Sequence, residues 1–149
     1  MEIDYYKPCP EYDRCCELID RYWEAGEYEA CFKGHLELAE QGYPLAECQV
    51  GWFYLKGQGV PQDDANAFYW TKRAAEHGDW DAQYNLGTFY EAGIGTARDA
   101  EQAKRWYIAA AQQGQDEALE KCRAEGLSWE WTDAPARQRP TSPLPARSL

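Results

Sequence analysis

Ala46, Val50, Phe53 and Tyr54 place small and apolar side chains along one face of a helix, and Ala82, Leu86, Phe89 and Tyr90 place them identically 36 residues later. A second set, Ala67, Trp70, Ala74 and Ala75, has its own copy in Ala103, Trp106, Ala110 and Ala111. The pattern therefore predicts pairs of helices, the first face built for packing and the second lined by alanine with one large indole. Helices are expected near 11–25, 27–41, 44–56, 63–77, 80–92, 99–113 and 116–125. About seven helices and no strand make an all-α chain.

Writing residues 46–81 over 82–117 aligns twelve identical positions without a gap. They are Ala46, Gly51, Phe53, Tyr54, Gly57, Gly59, Asp63, Ala67, Trp70, Ala74, Ala75 and Gly78 in the first copy. Gly57 and Gly93 stand where a helix ends in a left-handed residue, and Gly59 and Gly95 let the connector turn back. That Gly-x-Gly is a turn between helices, because no strand precedes it and no phosphate-binding Lys-Ser/Thr comes after it. Asp63 and Asp99 are natural N-caps, with Gln102 completing a capping-box-like spacing. Each second helix stops at Gly78 or Gly114. Residues 15–42 form a shorter, degenerate unit with only Gly26 as connector, and 118–126 supply one closing helix. The repeat domain is thus assigned to 1–126 and a tail to 127–149, with disorder expected from about residue 134, where prolines accumulate.

Composition adds two facts. Aromatic residues reach 15%, with seven Trp and eleven Tyr, so the core is expected to be aromatic and alanine-rich. The formal charge is −11, and most of it lies early: residues 1–64 carry 14 acidic and 5 basic side chains. Such a field repels nucleic-acid phosphates and anionic lipid and steers toward basic partners. No run is long enough to cross a bilayer, and no leader pattern opens the sequence, so a cytoplasmic location is expected. Six cysteines are accordingly read as free thiols.

The combined motif, Ala-x3-(Leu/Val)-Gly-x2-Tyr-x2-Gly-x-Gly, then Asp, Ala-x2-Trp and Ala-Ala-x2-Gly, resembles the Sel-1-like repeat, a relative of the tetratricopeptide repeat. The resemblance implies an α/α right-handed superhelical solenoid that binds other proteins and has no active site. It also implies that short bacterial members can serve as immunity proteins that neutralise a toxin. Thr96-Ala97 departs from the valine that the first copy keeps at Val60.

Candidate chemistry is sparse. His35 and His77 have no nucleophile in a pairing context, Asp63-Asp64 is explained by capping, and Cys9, Cys15 and Cys16 lack zinc-site spacing. Cys31 aligns with Ala67 and Ala103, and Cys122 with Val50 and Leu86, which are packing positions. No catalytic residue, cofactor or metal is assigned. Attention falls instead on aromatic and polar side chains that the repeat does not require. Trp23, Glu24, Glu27, Glu47, Gln49, Trp52, Trp80, Asn85 and Thr88 are the candidate partner-binding residues. Gln49, Trp52, Asn85 and Thr88 are expected on the concave face formed by the first helices, with Glu47 among the acids that steer. Trp129 and Trp131 either join this surface or fold over the terminal helix. The expected function is an acidic, non-catalytic protein-interaction module that inhibits a basic toxin or enzyme, with an adaptor for a peptide or protein complex as the alternative and an unrecognised enzyme or metal-binding protein ranked below both.

Overall fold

Helix termini are where this sequence speaks most plainly, and the computed structural model, which describes residues 10–129, bears out most of them. The described residues contain seven α-helices and no strand: α1 (Pro10–Leu18), α2 (Tyr28–Glu40), α3 (Pro44–Lys56), α4 (Asp64–Glu76), α5 (Trp80–Ala92), α6 (Ala100–Gln112) and α7 (Asp116–Glu125). Each helix packs against its neighbours in sequence, so the chain stacks as a solenoid of hairpins. Residues 1–9 and 130–149, which hold Cys9, Trp131 and most of the assigned tail, lie outside the described residues.

The predicted first helix differs. Instead of running through 11–25, the α-helix ends at Leu18 and passes into a π-helical turn, Ile19–Trp23, closed by Glu24 N–H donating to Ile19 O at 3.2 Å. Inserting a residue into the hydrogen-bond ladder rotates the side chains beyond it around the helix axis. Ile19 stays in the core while Tyr22 and Trp23 are only half-buried.

Asp63 accepts from Asn66 N–H at 3.1 Å, and Asp99 from both Glu101 and Gln102 N–H at 3.1 Å. These are the expected caps. Two further caps carry no counterpart in the sequence pattern above: Asp79 accepts from Ala82 N–H at 2.7 Å and Gln115 from Ala118 N–H at 2.6 Å. They occupy equivalent positions ahead of α5 and α7. Each such bond satisfies an orphan amide and is worth about 1 kcal/mol.

Side-chain size then decides how near the helices lie. A Cβ on Gly51 would collide with Thr71 Oγ1, and one on Gly87 would meet the Tyr107 ring at 2.6 Å. The missing side chain therefore seats α3 on α4 and α5 on α6. In the first hairpin Gly34 of α2 does the same beneath Leu18, whose Cδ2 would lie 2.5 Å away.

Three apolar clusters result from this approach. One gathers Cys15, Ile19, Cys31, Phe32, Val50, Phe53 and Trp70, a second Cys48, Ala74, Ala75, Ala82 and Leu86, and a third Ala103, Tyr107, Ala110, Ala118 and Cys122. Trp106 packs on the second cluster, while Leu127 and Trp129 fold onto the third. Cys31 and Cys122 are fully buried at the expected packing positions. Burial pushes the Cys31 thiol up to about 11.

The connectors reach back as well as around. Gly59 has φ +69°, and a Cβ there would collide with Tyr28 O at the start of α2; Gly95, at φ +67°, meets Asp64 O at the start of α4 in the same way. Gly59→Ala is expected to destabilise by more than the roughly 1–2 kcal/mol of left-handed strain alone. Gly26→Ala, at φ +76° with open space around the position, isolates that strain. Urea unfolding of the two variants checks the difference, and equal losses would remove the steric contact from the explanation.

Candidate functional site

Each first helix is tied to the end of its second helix by polar side chains at the same register. Glu47 on α3 is fully buried and accepts from Arg73 Nε at 2.9 Å and from His77 Nδ1 at 2.5 Å. In the next unit Gln113 Nε2 donates to Gln83 Oε1 at 2.7 Å and also to Gly78 O at 3.0 Å. Positions 47 and 83, like 77 and 113, are 36 apart, so one brace is ionic and its copy neutral. Glu47 is thereby removed from the steering surface where the charge pattern puts it. His77, at the end of α4, bonds to this carboxylate.

The other candidates divide by burial. Gln49 is 2% exposed, Trp80 3% and Asn85 6%, so none of them offers a face to a partner. Helices on both sides of each first helix cover these side chains, which helical phase alone does not reveal. Thr88 is half-buried, and its hydroxyl donates to Asn85 O at 2.6 Å. Glu24 and Glu27 are exposed.

Trp23 and Trp52, both half-buried, are brought together with ring centroids 5.4 Å apart and planes at 60°. Tyr28, which the repeat pattern did not single out, joins them edge-on, 4.8 Å from Trp23. It is 37% exposed and lines an open concavity of about 620 Å³ with Glu27, Glu29, Lys33 and Gly59. Tyr28 carries no signal in the repeat pattern, since its place against the connector glycine Gly59 arises only in the fold. Glu27, at the N-cap of α2, makes no side-chain capping bond. Glu29 pairs with Lys33 at 2.9 Å. The surface at this end of the solenoid is thus an aromatic group with carboxylates around it.

A third polar group lies toward the other end. The Tyr107 hydroxyl donates to Glu91, and Lys121 Nζ approaches Glu91 Oε1 at 3.0 Å. The Tyr107 hydrogen bond, with Lys121 beside it, holds the Glu91 carboxyl below its ordinary range, while burial and that same bond push the Tyr107 phenol up. Among the described residues no group of three or more His, Cys, Asp or Glu is placed to hold a metal ion, and no helix is long and apolar enough to cross a membrane.

Comparison with known proteins agrees with the geometry. The family model of the Sel1 repeat matches residues 44–79 and 80–115, the two hairpins α3–α4 and α5–α6. A Sel1 repeat protein from Oxalobacter formigenes is 35% identical, with 76% of this chain and 86% of that one covered and a TM-score of 0.68. The chain belongs to the Sel1 repeat family. A protective antigen of uropathogenic Escherichia coli displaying an SLR fold is 30% identical with a TM-score of 0.66. That alignment takes in 83% of this chain and only 27% of the antigen. Cysteine-rich protein B of Helicobacter pylori shares the fold, at 22% identity and a TM-score of 0.64 over 74% of this chain and 88% of that one. No curated protein matches the chain. Sel1 repeat proteins are generally non-catalytic protein-interaction modules, and the two braces are internal supports of such a module.

Two variants test the supports. Arg73→Ala with His77→Ala strands the fully buried Glu47 carboxylate and is expected to cost about 3–5 kcal/mol by urea unfolding, whereas Glu47→Gln with His77→Gln, which copies Gln83 and Gln113, costs less than half of that. Because the folded Glu91 carboxyl titrates below its unfolded value, its contribution is present above that value and lost as pH falls through the folded one. Stability of Glu91→Gln measured from pH 6 down to pH 2 is accordingly expected to fall less steeply than that of the wild type, by the share this carboxylate carries.

Proposed function

We propose that this Sel1 repeat protein acts in the cytoplasm as an immunity-type inhibitor, capturing a basic toxin or enzyme by surface contact and performing no chemistry of its own. The observation that carries the proposal is the coincidence of charge and exposed aromatic surface at the amino-terminal end. Residues 1–64 hold 14 acidic against 5 basic side chains, and Trp23, Tyr28 and Trp52 cluster in that half with Glu24 and Glu27 exposed nearby in sequence. Carboxylates at this density accelerate encounter with a positively charged surface, and partly exposed Trp and Tyr supply the desolvated anchors that hold it. An inhibitor needs both terms, since blocking an enzyme requires fast capture as well as slow release.

The test is affinity capture of the tagged protein from extract of its own cells at low and moderate salt, and then kinetics with the retained protein. A single stoichiometric basic protein is expected, its association slowed at least about fivefold by moderate salt and slowed similarly at low salt by Glu24→Ala with Glu27→Ala. The captured protein is expected to arrest growth when expressed alone and not when co-expressed. Association indifferent to salt, or a captured protein whose activity is unchanged in the complex, would refute the inhibitor reading.

A further inference from the structure

Twice within this molecule a cation lies against a ring of a packed aromatic pair and beside a glutamate. Tyr69 and Trp70 stand edge to face, 5.2 Å apart at 83°, and the Arg73 guanidinium lies 5.8 Å and 5.4 Å from their centroids. Its Nε donates to Glu47 at 2.9 Å and its Nη1 to the Tyr69 hydroxyl at 3.0 Å. Tyr84 and Tyr107 lie 5.6 Å apart at 45°, and Lys121 Nζ sits 5.4 Å from the Tyr107 centroid and 3.0 Å from Glu91. Ring faces carry negative potential, and a carboxylate alongside adds a full charge, so the combination favours a cation.

Trp23 and Tyr28 form a third pair of this kind, 4.8 Å apart at 61°, with Glu27 next in sequence and lining the same concavity as Tyr28. Among the described residues no cation lies over these rings. Arg21 is over Tyr22 at 5.3 Å, and Lys33 is paired with Glu29 at 2.9 Å. Glu27 makes neither an ion pair nor a capping bond among the described residues. The Tyr69 site is itself partly open, with that ring 49% exposed, and here Tyr28 and Glu27 line an open concavity of about 620 Å³. We infer that the Trp23–Tyr28 pair with Glu27 is the seat for an arginine side chain of the basic partner.

Arginine is chosen over lysine on chemistry. A planar guanidinium stacks on a ring while its edge N–H groups reach a carboxylate, as Arg73 does here, whereas an ammonium is a more strongly hydrated point charge. The acidic first half of the chain draws the basic surface in, and the ring pair selects what it presents. The inference rests on the proposal of a basic partner.

The experiment titrates ¹⁵N-labelled protein with an acetylated Gly-Arg repeat heptapeptide and with its lysine and citrulline counterparts, tracking amide and indole resonances. With the arginine peptide, shifts are expected to concentrate on the Trp23 indole and on residues 27–33 and 59. The lysine peptide is expected to bind about fivefold more weakly, and the citrulline peptide to give no shifts. Tyr28→Ala and Glu27→Gln should each weaken the arginine peptide about tenfold, Tyr28→Phe should restore wild-type binding, and Tyr69→Ala should leave it unchanged. Shifts scattered over all acidic surface, equal binding of lysine and arginine peptides, or indifference to Tyr28→Ala would overturn the seat. A basic protein captured from extract with equal affinity by wild type and Tyr28→Ala would overturn the seat while leaving the basic-partner reading intact; absence of any basic protein, with arginine-peptide binding retained, would do the reverse.

Discussion

The closeness of paired helices governs this protein. Gly51 and Gly87 have no side chain where Thr71 and Tyr107 press against them, and the alanines of α4 and α6 keep the remaining faces thin. Any Cβ at those glycines pushes a hairpin apart by more than a packed interior tolerates. From that one constraint come the clustering of the small residues Cys48, Ala74, Ala75 and Ala82 around Leu86, and the reach of a short Gln113 side chain to both Gln83 and Gly78.

Close packing also explains which polar groups stay inside. A buried carboxylate such as Glu47 is costly alone, and it is retained where two donors from one helix and its end converge on it. The neutral copy at Gln83 and Gln113 shows that the geometry, rather than the charge, is what the two units share. What differs is the consequence of losing one partner: an ion stranded inside is far worse than an amide.

Much of the fold was legible because its signals are local. Helix starts at Asp63 and Asp99 and left-handed ends at Gly57 and Gly93 are decided by single residues, and the 36-residue register multiplies each signal by two. The π-helical turn at Ile19–Trp23 was not legible, since it falls in the degenerate unit with no copy to compare and leaves no compositional mark. The candidate surface was legible only in part. Trp23, Trp52, Glu24 and Glu27 were found because they break the repeat or carry charge, but exposure depends on which helix covers which face. Glu47, Gln49, Trp80 and Asn85 lie beneath neighbours that no periodicity within one helix identifies. The Glu47–His77 brace was present in the alignment as a paired change to glutamine at both ends, a covariation readable between two copies of one chain.

The connector glycines carry a consequence for how the chain comes apart. Gly59 belongs to one hairpin by sequence yet rests on the first residue of the preceding second helix, and Gly95 does the same one unit later. The brace at Gln113 likewise crosses back to Gly78. Contacts of this kind knit the end of one unit to the start of the next, so the segment that melts as a whole is displaced from the 36-residue sequence repeat. Fraying of a single hairpin exposes the helix start of its predecessor, and loss of structure is propagated toward the amino terminus, where the acidic aromatic surface lies.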